Sequence, residues 1–223
     1  MNKSPIKISF KSEIFSILLI LASCAASIYF YLHFPDRVPT HWGINGEPNG
    51  WSSKSFGAFF LPVLLLGMYL MFFILPYIDP KRENYSKFAN VYGIFKNLIL
   101  GLLFAVYIMA SLNGIGIKVD ISTWVPLLIG IMFVVLGSYM GKLKLNWFVG
   151  ARNMWTLSSE SVWEKTNQLS GKVFIFAGIL IALEVFMPQF LIMPTFFVAI
   201  FAILLIPNFY SFVLYNREAR KKK

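Results

Sequence analysis

Both histidines of the chain, His33 and His41, stand in one short stretch with Asp36 and Glu47. Four nitrogen and oxygen donors within fifteen residues have the composition of a zinc site. Their spacing matches no metal motif, however, and neither HExxH nor a cysteine pair occurs in the chain. The structural alternative is that His41 bonds the turn backbone while Asp36 and Glu47 are solvated. Glu184 is an acid in an apolar run. An intramembrane carboxylate is a functional candidate by default, but one a single turn from the end of a span can also reach the headgroups. Lys96 lies in another apolar run, where its long stem can carry the charge to the interface. Arg152, between Gly150 and Trp155, has the chemistry to hold a lipid phosphate, cap a helix C-terminus or pair with Glu160. No Ser/His/Asp arrangement, phosphate-cradling glycine loop or carboxylate pair is visible, so the residues point to no catalytic centre, metal site or cofactor.

The elements that must position these residues follow from composition. Of 223 residues, 57% are hydrophobic and 13% charged, against about 45–50% and about 25% in soluble domains. A chain of this length cannot bury so much apolar surface in one core, which excludes a soluble enzyme or a free DNA-binding domain. Six apolar runs, 14–32, 56–78, 91–112, 121–140, 173–187 and 193–215, approach the roughly 20 residues that a membrane-crossing helix needs. Pro188 and Pro194 divide the last long run into a hairpin of two helices. The expected fold is an all-α polytopic membrane protein with six transmembrane helices.

Charge sets the expected orientation. The net charge is +10, and seventeen Lys and Arg fall on the side of the termini and the even-numbered connections, against three on the other side. Both termini are therefore expected in the cytoplasm, with anionic membrane lipid as a partner of the basic segments. The basic residues are not interleaved with base-stacking aromatics, so no direct nucleic-acid partner is expected. The chain then divides into a cytoplasmic N-terminus (1–13), three helices with an outer loop at 33–55 (14–112), three helices with an inner loop at 141–171 (113–215) and a basic cytoplasmic tail (216–223). Leu21-Ala22-Ser23-Cys24 has the form of a lipoprotein cleavage box, but the residues after Cys24 stay apolar. Alanines and serines at 22/26 and 23/27 suit a closely packed helix face instead.

The outer loop reads FPDRVPTHWGINGEPNGWSSK. Three prolines and the dipeptides Asn45-Gly46 and Asn49-Gly50 predict a compact cap with two tight turns, rested on the outer leaflet by Trp42 and Trp51. In the inner loop, Ser161 and Glu164 have capping-box spacing, Val162, Thr166 and Leu169 share a face, and Gly171 is a stop signal. The pattern predicts a short amphipathic helix on the cytoplasmic surface, moored by Trp147, Trp155 and Trp163. Gly137 and Gly141 make a GxxxG at the end of the fourth run.

Two of these stretches together resemble a known family. The outer loop is similar to an extracytoplasmic domain of unknown function with the form P-x-H-W-N-x-x-G-x-P, which falls here on Pro39, His41, Trp42, Gly46 and Pro48. FVGARNMWTLSSESVWEKTNQLSGK resembles the C-terminal signature of the SdpI family of membrane immunity proteins, on Gly150, Arg152, Trp155, Thr156, Leu157, Val162, Trp163 and Asn167. The resemblance implies a multi-pass protein of the bacterial cell membrane that protects against a secreted toxic peptide. It also implies possible signalling, by holding a repressor at the membrane. On this reading Asp36, Pro39, His41, Trp42, Gly46, Glu47 and Pro48 face the toxin. Gly150, Arg152, Trp155, Thr156, Val162, Trp163 and Asn167 face a partner protein or lipid inside. Gly43 replaces the family's Asn, and Met154 replaces its Pro, which is expected to loosen the inner turn. A small transporter using Glu184 and a metalloenzyme using His33, Asp36, His41 and Glu47 are the competing readings.

Overall fold

The computed structural model describes residues 5–6 and 9–221. Lys3, Lys7, Lys222 and Lys223, which enter the charge count, lie outside the described residues. Among the described residues, six helices are long and apolar enough to cross a membrane. In chain order the elements are α1 (Phe10–His33), β1 (Arg37–Trp42), β2 (Pro48–Ser53), α2 (Lys54–Ile78), α3 (Tyr85–Gly114), α4 (Ile121–Met140), α5 (Met154–Ser158), α6 (Glu160–Leu183) and α7 (Gln189–Lys221). The protein is an all-α polytopic membrane protein, and its two short strands form one antiparallel hairpin.

Local chemistry sets the helix ends. Ser9 and Ser12 form a reciprocal capping box at the start of α1. Phe34 leaves the helical region with ψ 141°, as a residue before proline is pressed to do. Asp120 caps α4, its carboxylate accepting from Thr123 N at 3.1 Å and from the hydroxyls of Thr123 and Ser122 at 2.7 and 2.6 Å. Pro126, Pro194 and Pro207 all lie inside helices, so Pro194 does not mark a helix start. Large apolar side chains such as Leu18, Ile28, Val63, Leu70 and Leu205 remain exposed along the spans, as a lipid-facing surface requires.

The chain separates into two compact units. One holds Ile8–Phe73 with Lys96–Leu128, the other Ile74–Phe95 with Ile129–Lys223. In the first, Ser16, Ser23, Ser27 and Phe30 form the buried face of α1; the expected small-residue stripe holds at Ser23 and Ser27, while Ala22 is exposed and Ala26 half-buried. Ser16 Oγ donates to Asn97 Oδ1 at 2.8 Å. Lys96, expected at the interface, is buried instead and pairs with Glu13 at 2.6 Å, both side chains being at most 14% exposed. Enclosed by protein, its charge is met by a carboxylate. Phe30, Phe34, Val38, Ala58 and Tyr107 form the core beneath the hairpin.

The second unit departs further from expectation. The predicted surface helix does not stop at Gly171: α6 runs unbroken from Glu160 to Leu183, and its cap is Ser159, whose hydroxyl accepts from Val162 N. Gly171 faces α4 rather than terminating anything. A Cβ on Gly171 would sit 2.5 Å from the carbonyl oxygen of Gly137, and one on Gly178 would sit 2.5 Å from that of Gly130. The contact between α4 and α6 is thus made by two glycine pairs seven residues apart, whereas a Cβ on Gly141 of the GxxxG would meet Gln168, no nearer than 3.3 Å. Helix propensity and continued apolar packing on both sides override the stop signal.

Candidate functional site

The hairpin is built from its turn outward. Gly43 N donates to Glu47 O and Gly46 N to Gly43 O, both at 2.9 Å. Gly46 takes φ +77°, a conformation that costs glycine little. Asn45 Oδ1 accepts from Glu47 N, and Asn45 Nδ2 donates to Glu47 Oε2, each at 3.2 Å. Asn49-Gly50, expected as a second turn, lies within β2, where Gly50 pairs with His41 beside an irregularity in the register. A side chain at Gly50 would collide with His41 Cβ, so glycine serves the close pairing there and not a turn.

The candidate residues of this loop separate by burial. Asp36, His41, Glu47 and Pro48 are exposed, Trp42 and Gly46 are half-buried, and Pro39 is buried. The His41 ring bonds the Asn49 side chain, and His33 Nδ1 bonds Tyr29 O at 2.7 Å. Among the described residues no three His, Cys, Asp or Glu side chains come together as metal ligands. Trp51 stays half exposed, as a headgroup anchor would. Trp42 does not: it lines a cavity of about 460 Å³ between the hairpin and helices α2 and α3. That cavity, with Tyr107 and Ser111 on its α3 side, was not foreseen. Tyr107 and Ser111 are spaced i, i+4 in an otherwise apolar run, which puts both on one helix face and was the available signal.

The segment between α4 and α6 is organised by side chains bonding backbone. Asp79 Oδ2 accepts from Tyr85 Oη at 2.9 Å and from Trp147 N at 2.8 Å. Asn146 Oδ1 accepts from the Phe148 and Val149 amides, and its Nδ2 donates to the Lys144 and Val149 carbonyls. Asn167 Oδ1 accepts from Ala151 N at 2.9 Å, and Trp163 Nε1 donates to Leu143 O at 3.0 Å. Gly150 has φ +112°, and a Cβ there would lie 2.6 Å from Asn167 Oδ1. The segment therefore requires glycine twice over.

This geometry corrects the expected inner surface. Thr156, Val162, Trp163 and Asn167 are fully buried, so they hold the fold and cannot face a partner. Trp163 is no membrane anchor, because its indole N–H is spent on a backbone carbonyl inside the unit. Trp155 is half-buried and packs edge-on against Phe212 at 5.2 Å. Arg152 is exposed, but one guanidinium nitrogen donates to Trp147 O at 2.7 Å, and among the described residues no ion pair joins it to Glu160. Met154 occupies the first position of α5, behind an Asn153 cap that accepts from the Trp155 and Thr156 amides. Proline suits that position because its missing N–H is not needed. The turn is held by Asn153, so Met154 does not loosen it. Glu184 does not reach the headgroups: it is 4% exposed, in the turn Glu184–Phe186 after α6, and its Oε1 has no hydrogen-bond partner among the described residues.

Residues 18–66 match the domain of unknown function DUF1648, which spans most of α1, the hairpin and the first half of α2. Residues 142–214 match the SdpI/YfhL protein family, from the Asn146 segment into α7. Immunity protein SdpI of Bacillus subtilis (strain 168) is 28% identical over 207 residues, covering 93% of this chain and 97% of that protein. No solved structure matches the chain. Both family models match in this order, a relative aligns along nearly its whole length and six described helices can span a membrane, which together support a multi-pass bacterial membrane protein similar to the SdpI type.

Proposed function

We propose that this protein is a membrane immunity protein that protects its cell from a secreted membrane-active peptide, met at the hairpin side of the molecule. The observation that carries the reading is the alignment to Immunity protein SdpI along 93% of the chain. The hairpin supports the choice of side. It leaves polar groups exposed at Asp36, His41 and Glu47 above a preformed cavity, the concave, largely apolar form that ligand sites take. The distribution of Lys and Arg supports an outward-facing hairpin and cytoplasmic termini. A repressor or anionic lipid on the other side would meet exposed residues of the inner loop, among them Lys142, Trp147, Arg152, Met154 and Lys165.

The test is survival. A sensitive bacterium expressing the protein receives a secreted depolarising peptide of this kind, and viability is followed with membrane potential. Expressing cells are expected to keep both. The double variant His41→Ala/Trp42→Ala is expected to lose protection at unchanged protein level, and Arg152→Ala to keep it while weakening any induced signalling. Death of wild-type-expressing cells at confirmed expression contradicts the reading.

A second reading, ion handling, is favoured by one observation, the buried Glu184 Oε1 without a hydrogen-bond partner. It predicts proton flux in proteoliposomes that Glu184→Gln abolishes. Flux unchanged by that substitution ends it.

A further inference from the structure

The cavity under the hairpin has a specific chemical imbalance. Its walls are mainly apolar and include Phe34, Val38, Phe60 and Val106. The hydroxyls of Thr40 and Ser52 bond one another at 3.1 Å. Tyr107 Oη donates to Ala58 O at 3.1 Å. Ser111 is different: it lines the cavity, is 2% exposed, and its Oγ makes no hydrogen bond of normal geometry, although the Tyr107 hydroxyl is near. A buried hydroxyl without a partner is unfavourable in an apolar setting, and more so at the edge of a bilayer where water is scarce.

A saturated acyl chain would fill the volume and leave Ser111 as it is. A ring bearing an O–H or N–H would fill it and bond the hydroxyl. At about 460 Å³ the space is roughly three times the ~150 Å³ cavity that takes a benzene ring, so an aromatic side chain enters with room for its backbone at the mouth. We infer that the cavity formed by β1, α2 and α3 is a binding site for a phenol or indole side chain of a peptide ligand, whose polar hydrogen meets Ser111 Oγ. That the side chain belongs to a peptide rests on the immunity reading above; the ring site itself does not.

The probes are 4-fluorophenol and fluorobenzene, followed by fluorine NMR on the full chain in lipid nanodiscs, with empty nanodiscs correcting for partition into lipid. Saturable binding of 4-fluorophenol is expected, at least fivefold tighter than fluorobenzene. Ser111→Ala, which preserves the shape of the site, is expected to bring the two within twofold. Val106→Trp and Ala110→Trp fill the cavity and are expected to remove binding of both probes. Equal affinity of the two probes for the wild type, or no saturable binding, overturns the ring site and leaves an acyl-chain pocket. If the filled variants do not fold, the Ser111→Ala comparison alone decides. In the survival assay, a folded filled variant that protects as well as wild type overturns the peptide assignment while the immunity reading stands. Failure of the wild type to protect removes that reading and the peptide assignment, while the probe measurements still decide the ring site.

Discussion

The hairpin and the Asn146–Asn167 segment carry the two recognisable motifs of this chain, and they use them in opposite ways. In the segment, motif residues turn inward. Trp163 bonds Leu143 O, Asn167 holds Ala151 N, and Gly150 makes room for Asn167. In the hairpin, motif residues turn outward or frame a space: His41 and Pro48 are exposed, and Trp42 lines a cavity in which Ser111 lacks a partner. A motif is therefore not in itself a contact surface. The polar bonds of the segment are satisfied within the protein, apart from the Thr166 hydroxyl, and give it stability, whereas the cavity under the hairpin leaves the Ser111 hydroxyl of α3 for a ligand to complete.

The sharpest way to break this contrast is Trp163→Ala. It removes a fully buried indole and its bond to Leu143 O, and it is expected to cost about 3–5 kcal/mol in thermal unfolding of the purified protein. A loss under about 1 kcal/mol, typical of an exposed side chain, would return Trp163 to the partner surface. Next in size is Asn167→Ala, which leaves the Ala151 amide buried without an acceptor. About 1–3 kcal/mol is expected, with no change in toxin protection beyond the fall in protein level.

A smaller effect tests the junction between the hairpin turn and α4. A Cβ on Gly46 would lie 2.9 Å from Ser122 Oγ, next to the Asp120 cap. Asp120→Ala is expected to cost about 1 kcal/mol, and Asp120→Asn much less. Hydrogen bonds from Ser122, then Thr123, hold the Asp120 carboxyl below its ordinary value of 3.8. Its contribution is therefore complete above that value and fades as pH falls through the lower folded pKa. Melting between pH 7 and pH 3 should show this acid-side loss in wild type and a weaker one in Asp120→Asn. The smallest expected effect is Met154→Pro. At the first position of α5, behind the Asn153 cap, proline should be neutral or stabilise by about 0.4–1 kcal/mol. Clear destabilisation would show that the Met154 amide is needed.

Much of the fold was legible in the sequence because crossing a bilayer demands length and apolarity that few other structures need. The fourth run, 121–140, coincides with α4 residue for residue, α1, α2, α3 and α7 extend beyond their runs at one or both ends, and α6 starts thirteen residues before its run, at Glu160, and ends at Leu183. The surface helix was misread because Gly171 has two physical uses. It can end a helix, or it can let two helices touch, and only the presence of Gly137 opposite it chooses between them. Asn49-Gly50 failed for the same reason, its glycine being required by His41 across the hairpin.

By itself the sequence determined the class of solvent, the six spans, the hairpin turn at Asn45-Gly46 and the two motifs, since each depends on composition or on residues a few positions apart. Only the tertiary structure decided which polar residues are spent. Lys96 is neutralised by Glu13, 83 positions away, Trp147 N is held by Asp79, 68 positions away, and Ser111 faces a cavity whose far wall is β1. Whether a polar group is free for function depends on partners that the fold brings from a distance, and in lipid no water stands in for a partner that fails to arrive.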